Sequence, residues 1–286
     1  MTPALPDIDA PFRHYTLKHR SVAWVSMNVF GSVTYTVRRG LLRGMKRYGG
    51  LAFVPQWIGR LLSLEERFWQ AVAIDGRTVY DVGSFEGLLA LAFSRRASHV
   101  VAYEPMPRNR ERLHRNLSLN AIRNVTVRPI GVSDGDGTIR LSALDLMPGG
   151  TSGDPEVSAG IRTARSFAET EVPVRTLDAD IGAEGVPAPD LLKIDIEGME
   201  AAALRGDAAT IRATRPAIHL EWHGDTIRQK PTRTRGPIPL LRETYGYPVV
   251  HHLESGRTVV PEAAKELYEG HLFAPSATIA SPALPR

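Results

Sequence analysis

The 286 residues read as an α/β chain: a Rossmann-like, doubly wound and mostly parallel sheet that ends in an antiparallel hairpin. Three observations carry that reading. Short β-rich runs alternate with helical stretches across residues 77–222, the signature of βαβ units. Each run ends in an acidic or glycine-rich segment, and an open α/β sheet takes its ligand beyond the carboxyl ends of its strands. The composition, 43% hydrophobic and 23% charged, is that of a globular domain and excludes disorder and fibrous repeats.

Residues 1–70 form a basic lead-in with ten Lys and Arg against four acids, which leaves 25 against 27 for the rest. The formal charge of +4 therefore belongs to the front of the chain. This stretch reads as a partly helical N-terminal extension, and residues 71–286 as one ligand-binding domain. The first twelve residues are acidic and proline-spaced, and the apolar stretch 21–37 is broken by Ser26, Asn28, Ser32 and Thr34. Neither a leader nor a membrane span is expected, and the cytoplasm is the default location. Arg38, Arg39, Arg43, Lys46 and Arg47, with Leu41, Leu42 and Met45, suggest a dimer contact, a membrane-surface helix or a clamp on an anionic acceptor.

The elements follow in order. A helix over 63–73 opens with Ser63 and Glu66 in a capping pattern. Strands are expected over 78–82, 99–104, 125–131, 191–196 and 217–222, with helices over 85–95, 107–120 and 198–205. A strand pair over 138–142 and 172–176 flanks a Gly-, Ser- and Pro-rich loop from 145 to about 170. A helix near 239–245 precedes a hairpin of 248–253 and 257–260 around Glu254-Ser255-Gly256. The chain has no cysteine, so it has no disulfide, thiolate metal site or thiol nucleophile.

At the first strand end, Asp81-x-Gly83-x-x-x-Gly87 permits a tight turn, and a helix starting at Phe85 would offer free N–H groups to an anion. The spacing differs from the dinucleotide fingerprint, and no Gly-Lys-Ser/Thr follows to make a phosphate loop. An acid directly before the glycines repels a pyrophosphate and suits a cation. Glu104 ends the second strand, 23 residues beyond Asp81, and is placed to accept ribose hydroxyls. The implied ligand has a ribose, an anionic group and a positive centre. S-adenosylmethionine has a ribose, a carboxylate, an ammonium and a sulfonium.

Six segments then make the likeness specific. They are Val79-Tyr-Asp-Val-Gly-Ser-Phe-Glu-Gly87, Val101-Ala-Tyr-Glu-Pro105, Gly131-Val-Ser-Asp134, Arg175-Thr-Leu-Asp178, Leu192-Lys-Ile-Asp-Ile-Glu-Gly-Met-Glu200 and Pro216-Ala-Ile-His-Leu-Glu221. In this order they resemble the FkbM family of S-adenosylmethionine-dependent methyltransferases, over residues 77–223. The family often has Ala-Asn where this chain has Ser84-Phe85. The resemblance implies O-methylation of secondary metabolites, sugars or glycoconjugates. It also implies that Asp81, Gly83, Ser84 and Gly87 surround the methionyl part and that Glu104 and Pro105 meet the ribose. Ser133 and Asp134 would border the adenine.

A hydroxyl is a weak nucleophile, so a positioned base is expected to help by about 10²- to 10⁴-fold. The candidate catalytic set is Asp195, Glu221 and His223, with Glu197 nearby. Strand alternation puts Lys193, Asp195 and Glu197 on one side, where Lys193 neutralises a neighbouring carboxylate. Histidine suits base catalysis near neutrality. Asp195, Glu221 and His223 could instead hold Mg²⁺, a reading ranked second. The loop 145–170 and the basic loop 228–235 could both cover an acceptor.

The expected activity is methyl transfer to a hydroxyl of a sugar, glycoconjugate or other small metabolite. The rivals are an inactive small-molecule or glycan-binding protein on the same fold and a nicotinamide-dependent oxidoreductase. A nucleic-acid partner is not expected, because no helix-turn-helix, finger or aromatic platform accompanies the basic lead-in. Peripheral membrane contact and homo-oligomerisation are left open by that segment.

Overall fold

The computed structural model describes residues 25, 30–49, 63–144, 147–153, 158, 167–222, 236–259 and 270–282. A hairpin of β1 (Thr34–Thr36) and β2 (Lys46–Tyr48) precedes helix α1 (Leu64–Ala71). The main alternation follows as β3 (Thr78–Val82), α2 (Leu88–Ser94), β4 (His99–Tyr103), α3 (Pro107–Leu119) and β5 (Val125–Arg128). Then come β6 (Gly131–Val132), β7 (Gly137–Leu144), β8 (Met147–Ser152) and β9 (Phe167–Arg175). After α4 (Leu177–Glu184) the chain returns through β10 (Leu191–Ile194), α5 (Glu200–Gly206), α6 (Ala208–Thr214) and β11 (Ala217–Trp222). A helical turn at Pro237–Pro239 runs into a π-helical Leu240–Thr244 before β12 (His251–His252), β13 (Arg257–Thr258) and β14 (Gly270–Ala274).

Eight strands form one sheet in the order β13-β12-β14-β11-β10-β3-β4-β5. The five from β11 to β5 are parallel, and β14, β12 and β13 run antiparallel to their neighbours. From β3 the chain steps through β4 and β5 on one side and returns through β10 and β11 on the other. Strand order therefore reverses between β3 and β10, the place where such a sheet opens a ligand crevice. The doubly wound fold with its tail hairpin is the one expected. β6, β9, β7 and β8 make a second, four-stranded sheet.

The central strands are buried on both faces, as parallel strands require. Tyr80, Val82, Val101, Tyr103, Leu192 and Ile194 pack with Leu177, Leu204 and Ile211 of α4, α5 and α6. Val79, Val100, Ala102 and Leu191 pack on the other face with Phe68, Leu91 and Leu113 of α1, α2 and α3. Helix α1 starts as its sequence dictates: Ser63 Oγ accepts from Glu66 N–H at 3.0 Å, and Glu66 Oε2 accepts from Ser63 N–H at 2.9 Å. No helix among the described residues is long and apolar enough to cross a membrane.

Several expectations are corrected. The run 125–131 is split between two sheets, because Pro129 cannot donate to a ladder and the chain leaves β5 there. Residues 147–152, expected in a loop, pair with β7. An unexpected strand, β14, lies between β11 and the tail hairpin. Residues 34–48 form a hairpin, so the basic cluster is no surface helix. Its backbone is bound to α3, with Lys46 N–H on Asn120 Oδ1 and Tyr48 N–H on Asn116 Oδ1, both at 2.8 Å. Arg47 is buried against Glu86 at 3.0 Å, and Arg112 reaches the same carboxylate at 3.1 Å. The loop 228–235 and most of 153–166 lie outside the described residues.

Candidate active site

The loops after β3, β4 and β10 converge on a cavity of about 200 Å³. Gly83 and Phe85 line it from the first loop, Glu104, Pro105 and Met106 from the second, and Asp195, Ile196, Glu197 and Met199 from the third. Asn109 of α3, Gly131 and Val132 of β6, and Ile139 and Leu141 of β7 complete the wall.

The first loop is tighter than its sequence suggested. Helix α2 begins at Leu88, three residues later than expected, because Gly83, Phe85 and Gly87 are all left-handed, at φ 80°, 51° and 84°. A Cβ on Gly83 would lie 1.9 Å from the carbonyl oxygen of Asp195, so glycine is what lets the β3 and β10 loops touch. A Cβ on Gly87 would meet Leu113 at 2.2 Å, which makes that glycine a packing requirement of α3. The Phe85 N–H, expected to face an anion of the ligand, donates to Glu104 Oε2 at 2.8 Å.

Glu104 is buried, and each of its oxygens is oriented. Oε1 accepts from Met106 N–H at 2.8 Å and from Asn109 Nδ2 at 3.2 Å, while Oε2 holds Phe85. Burial pushes its carboxyl above the usual range, and these donors, with Arg110 nearby, offset part of the effect. Three of about four lone-pair directions are taken, leaving acceptor capacity for a hydroxyl.

Asp81, Lys193 and His219 stand in register across β3, β10 and β11, on the face covered by α1. Asp81 does not face the cavity. Its side chain is 1% exposed with Oδ1 3.1 Å from Lys193 Nζ, so the cation it was expected to seek is the protein's own. Among the described residues no aligned hydrogen bond reaches either Asp81 oxygen; the compensation is charge. Lys193 also donates to the Gly83 carbonyl at 3.1 Å and the Val82 carbonyl at 3.3 Å, and lies 3.4 Å from Asp195 Oδ2. Burial alone would depress its pKa, but Asp81, Asp195 and the more distant Glu221 raise it above the ordinary lysine value. His219 is packed between Phe68 and Trp69, with ring centroids at 5.1 and 4.4 Å. Burial, then His271 and Lys193, hold it well below the usual histidine range, so it is neutral.

The third loop leaves the strand at Ile194, so strand alternation does not extend to Glu197, which is left-handed at φ 53°. Glu200 fixes this turn: its Oε1 accepts from Ile196 N–H at 3.2 Å and from Gly198 N–H at 3.1 Å. Sequence reasoning missed Glu200, although an acid in the first turn of a helix after a glycine is a legible sign of such an anchor.

Of the expected site residues, Gly83, Glu104, Pro105 and Asp195 line the cavity. Ser84 is turned inward, its Oγ donating to the Asp81 carbonyl at 2.6 Å. Ser133 N–H is engaged by the Arg175 carbonyl at 3.0 Å and Asp134 pairs with Arg205 at 2.9 Å, while their neighbours Gly131 and Val132 reach the cavity. Glu221 stands opposite His271 in register on β14 and is not among the cavity residues. His223 lies outside the described residues. No group of three or more His, Asp or Glu converges as a metal site among the described residues.

Residues 81–247 match the model of the Methyltransferase FkbM domain. The chain is 27% identical over 198 residues to Methyltransferase sdnD of Sordaria araneosa, covering 60% of this chain and 73% of that protein. It is also 27% identical over 146 residues to Methyltransferase 1 of Beauveria bassiana, covering 46% of this chain and 59% of that one. The solved structure of Methyltransferase FkbM from Methylobacillus flagellatus aligns with a TM-score of 0.44 at 18% identity. That alignment covers 70% of this chain but 43% of the solved one, so the chain spans less than half of that relative.

Proposed function

The chain belongs to the FkbM methyltransferase family, and from that premise we propose that it transfers the methyl group of S-adenosylmethionine to a hydroxyl oxygen of a sugar, glycoconjugate or other small metabolite. One observation carries the assignment of roles. Glu104 follows β4 and Asp195 follows β10, the two neighbours of β3, and both line the cavity at the strand-order switch. When bound, S-adenosylmethionine supplies an electrophilic methyl carbon.

Glu104 holds the ribose through the acceptor capacity its three donors leave free. Glu104→Ala is expected to weaken S-adenosylhomocysteine binding about 10- to 100-fold, the loss of a hydrogen bond to a charged group. Titration calorimetry checks this, and unchanged affinity would remove Glu104 from the site.

Asp195 is the base. Its side chain is 28% exposed, and Lys193 lies against one of its oxygens, Oδ2. With S-adenosylmethionine bound, Asp195 would accept the hydroxyl proton as the acceptor oxygen takes the methyl group that the sulfonium would supply. Holding acceptor and donor in line supplies the remaining acceleration. We expect Asp195→Asn to lower turnover by about 10²- to 10⁴-fold. Its S-adenosylhomocysteine affinity should stay within a few-fold of the parent. Retained turnover, followed as labelled methyl transfer to a panel of glycans and polyketides, would move the role to Glu221 or His223. We rank Mg²⁺ second, because the Lys193 ammonium beside Asp195 already supplies positive charge where a metal would sit.

A further inference from the structure

Four non-glycine residues have a positive φ among the described residues. Two of them, Ala121 and Arg215, follow the last turns of α3 and α6, where this conformation is ordinary. The other two, Phe85 and Glu197, line the cavity. Phe85 is the more telling. It sits between the left-handed Gly83 and Gly87, in a turn whose backbone calls for glycine or asparagine at its middle position as well. A bulky residue kept at such a position points to a role for its side chain.

The contacts of the Phe85 backbone and of Gly83 place this turn beside the two acids. Phe85 N–H is held by Glu104, the ribose acid, at 2.8 Å. Two residues earlier, Gly83 abuts the backbone of Asp195, the proposed base. A sulfonium carries both the 5′ carbon of the ribose and the methyl group to be transferred, so it must lie between those two acids. Tyr103, the other aromatic residue of the cavity among the described residues, is fully buried with its hydroxyl on Asp180 at 3.1 Å. We propose that Phe85 determines cofactor selectivity, its ring facing the sulfonium and favouring the cationic methyl donor over the neutral thioether product. An aromatic face attracts a cation more strongly than it attracts a neutral thioether, whose contact with a ring is weaker. The proposal rests on the methyltransferase reading and assigns to one residue the discrimination that lets product leave.

Calorimetric titration of the parent, Phe85→Leu, Phe85→Tyr and Phe85→Asn with S-adenosylmethionine and with S-adenosylhomocysteine tests it. Phe85→Leu keeps an apolar side chain without a π face. Its preference for the methyl donor should fall roughly 3- to 30-fold, mainly through weaker S-adenosylmethionine binding. Phe85→Tyr should keep the preference. Phe85→Asn should lose it while unfolding, without cofactor, at a temperature no lower than the parent, because asparagine accepts the left-handed turn. Parallel changes in both affinities, or none, in Phe85→Leu would overturn the proposal while leaving the methyltransferase reading intact. A parent chain that binds neither molecule would overturn both.

Discussion

Lys193→Met is expected to lower the free energy of unfolding by about 3–5 kcal/mol, because it leaves a buried carboxylate without its counter-charge. Lys193 and Asp81 are 4% and 1% exposed, and the ammonium is the only charge compensation seen for Asp81 among the described residues. The same ammonium ties the Val82 and Gly83 carbonyls to Asp195, so the loss also loosens the turn that shapes the cavity. Adding Asp81→Val should restore more than half of the loss, since removing both charges of a buried pair is often near neutral. Urea unfolding of the two variants checks both statements. A single variant within 1 kcal/mol of the parent would mean that Asp81 is stabilised by something other than Lys193.

Gly83→Ala should be nearly as damaging to the fold and more so to the site. The new methyl would lie 1.9 Å from a backbone oxygen, which cannot yield as a flexible side chain can, and the residue is held at φ 80°. Overpacking and left-handed strain together cost about 2–5 kcal/mol, and relief requires the β3 and β10 loops to part. Cofactor binding should be lost even where the variant remains folded. Gly135→Ala is the control: its Cβ meets nothing within 4 Å, and both stability and binding should be unchanged. Thermal unfolding and titration of S-adenosylhomocysteine separate the two effects.

Much of this was legible in the sequence because it is local. The five parallel strands announce themselves as short β-rich runs, and the Ser63–Glu66 capping box depends on four consecutive residues. Glu104 is found by its distance from the glycine loop. What escaped depends on register or on packing between sheets. The row Asp81, Lys193, His219 exists only because β3, β10 and β11 pair in one particular register, so Asp81 read as a ligand contact when it is an internal ion-pair partner. Ile139 and Leu141 reach the cavity from the second sheet, which no spacing along the chain reveals. Strand β14 inserts beside β11 from more than forty residues away. The left-handed Phe85 lies within a motif read correctly as a turn, yet the conformation of its middle residue was not apparent from residue types alone.

The account stands or falls on the cavity between the β3 and β10 loops being the methyl donor's site. Calorimetric titration of the purified chain with S-adenosylhomocysteine, run beside NAD, asks this directly. One equivalent of S-adenosylhomocysteine should bind, the affinity should fall about 10- to 100-fold in Glu104→Ala, and NAD should produce no saturable heat. Saturable binding of NAD, or S-adenosylhomocysteine binding that Glu104→Ala leaves untouched, would contradict the assignment.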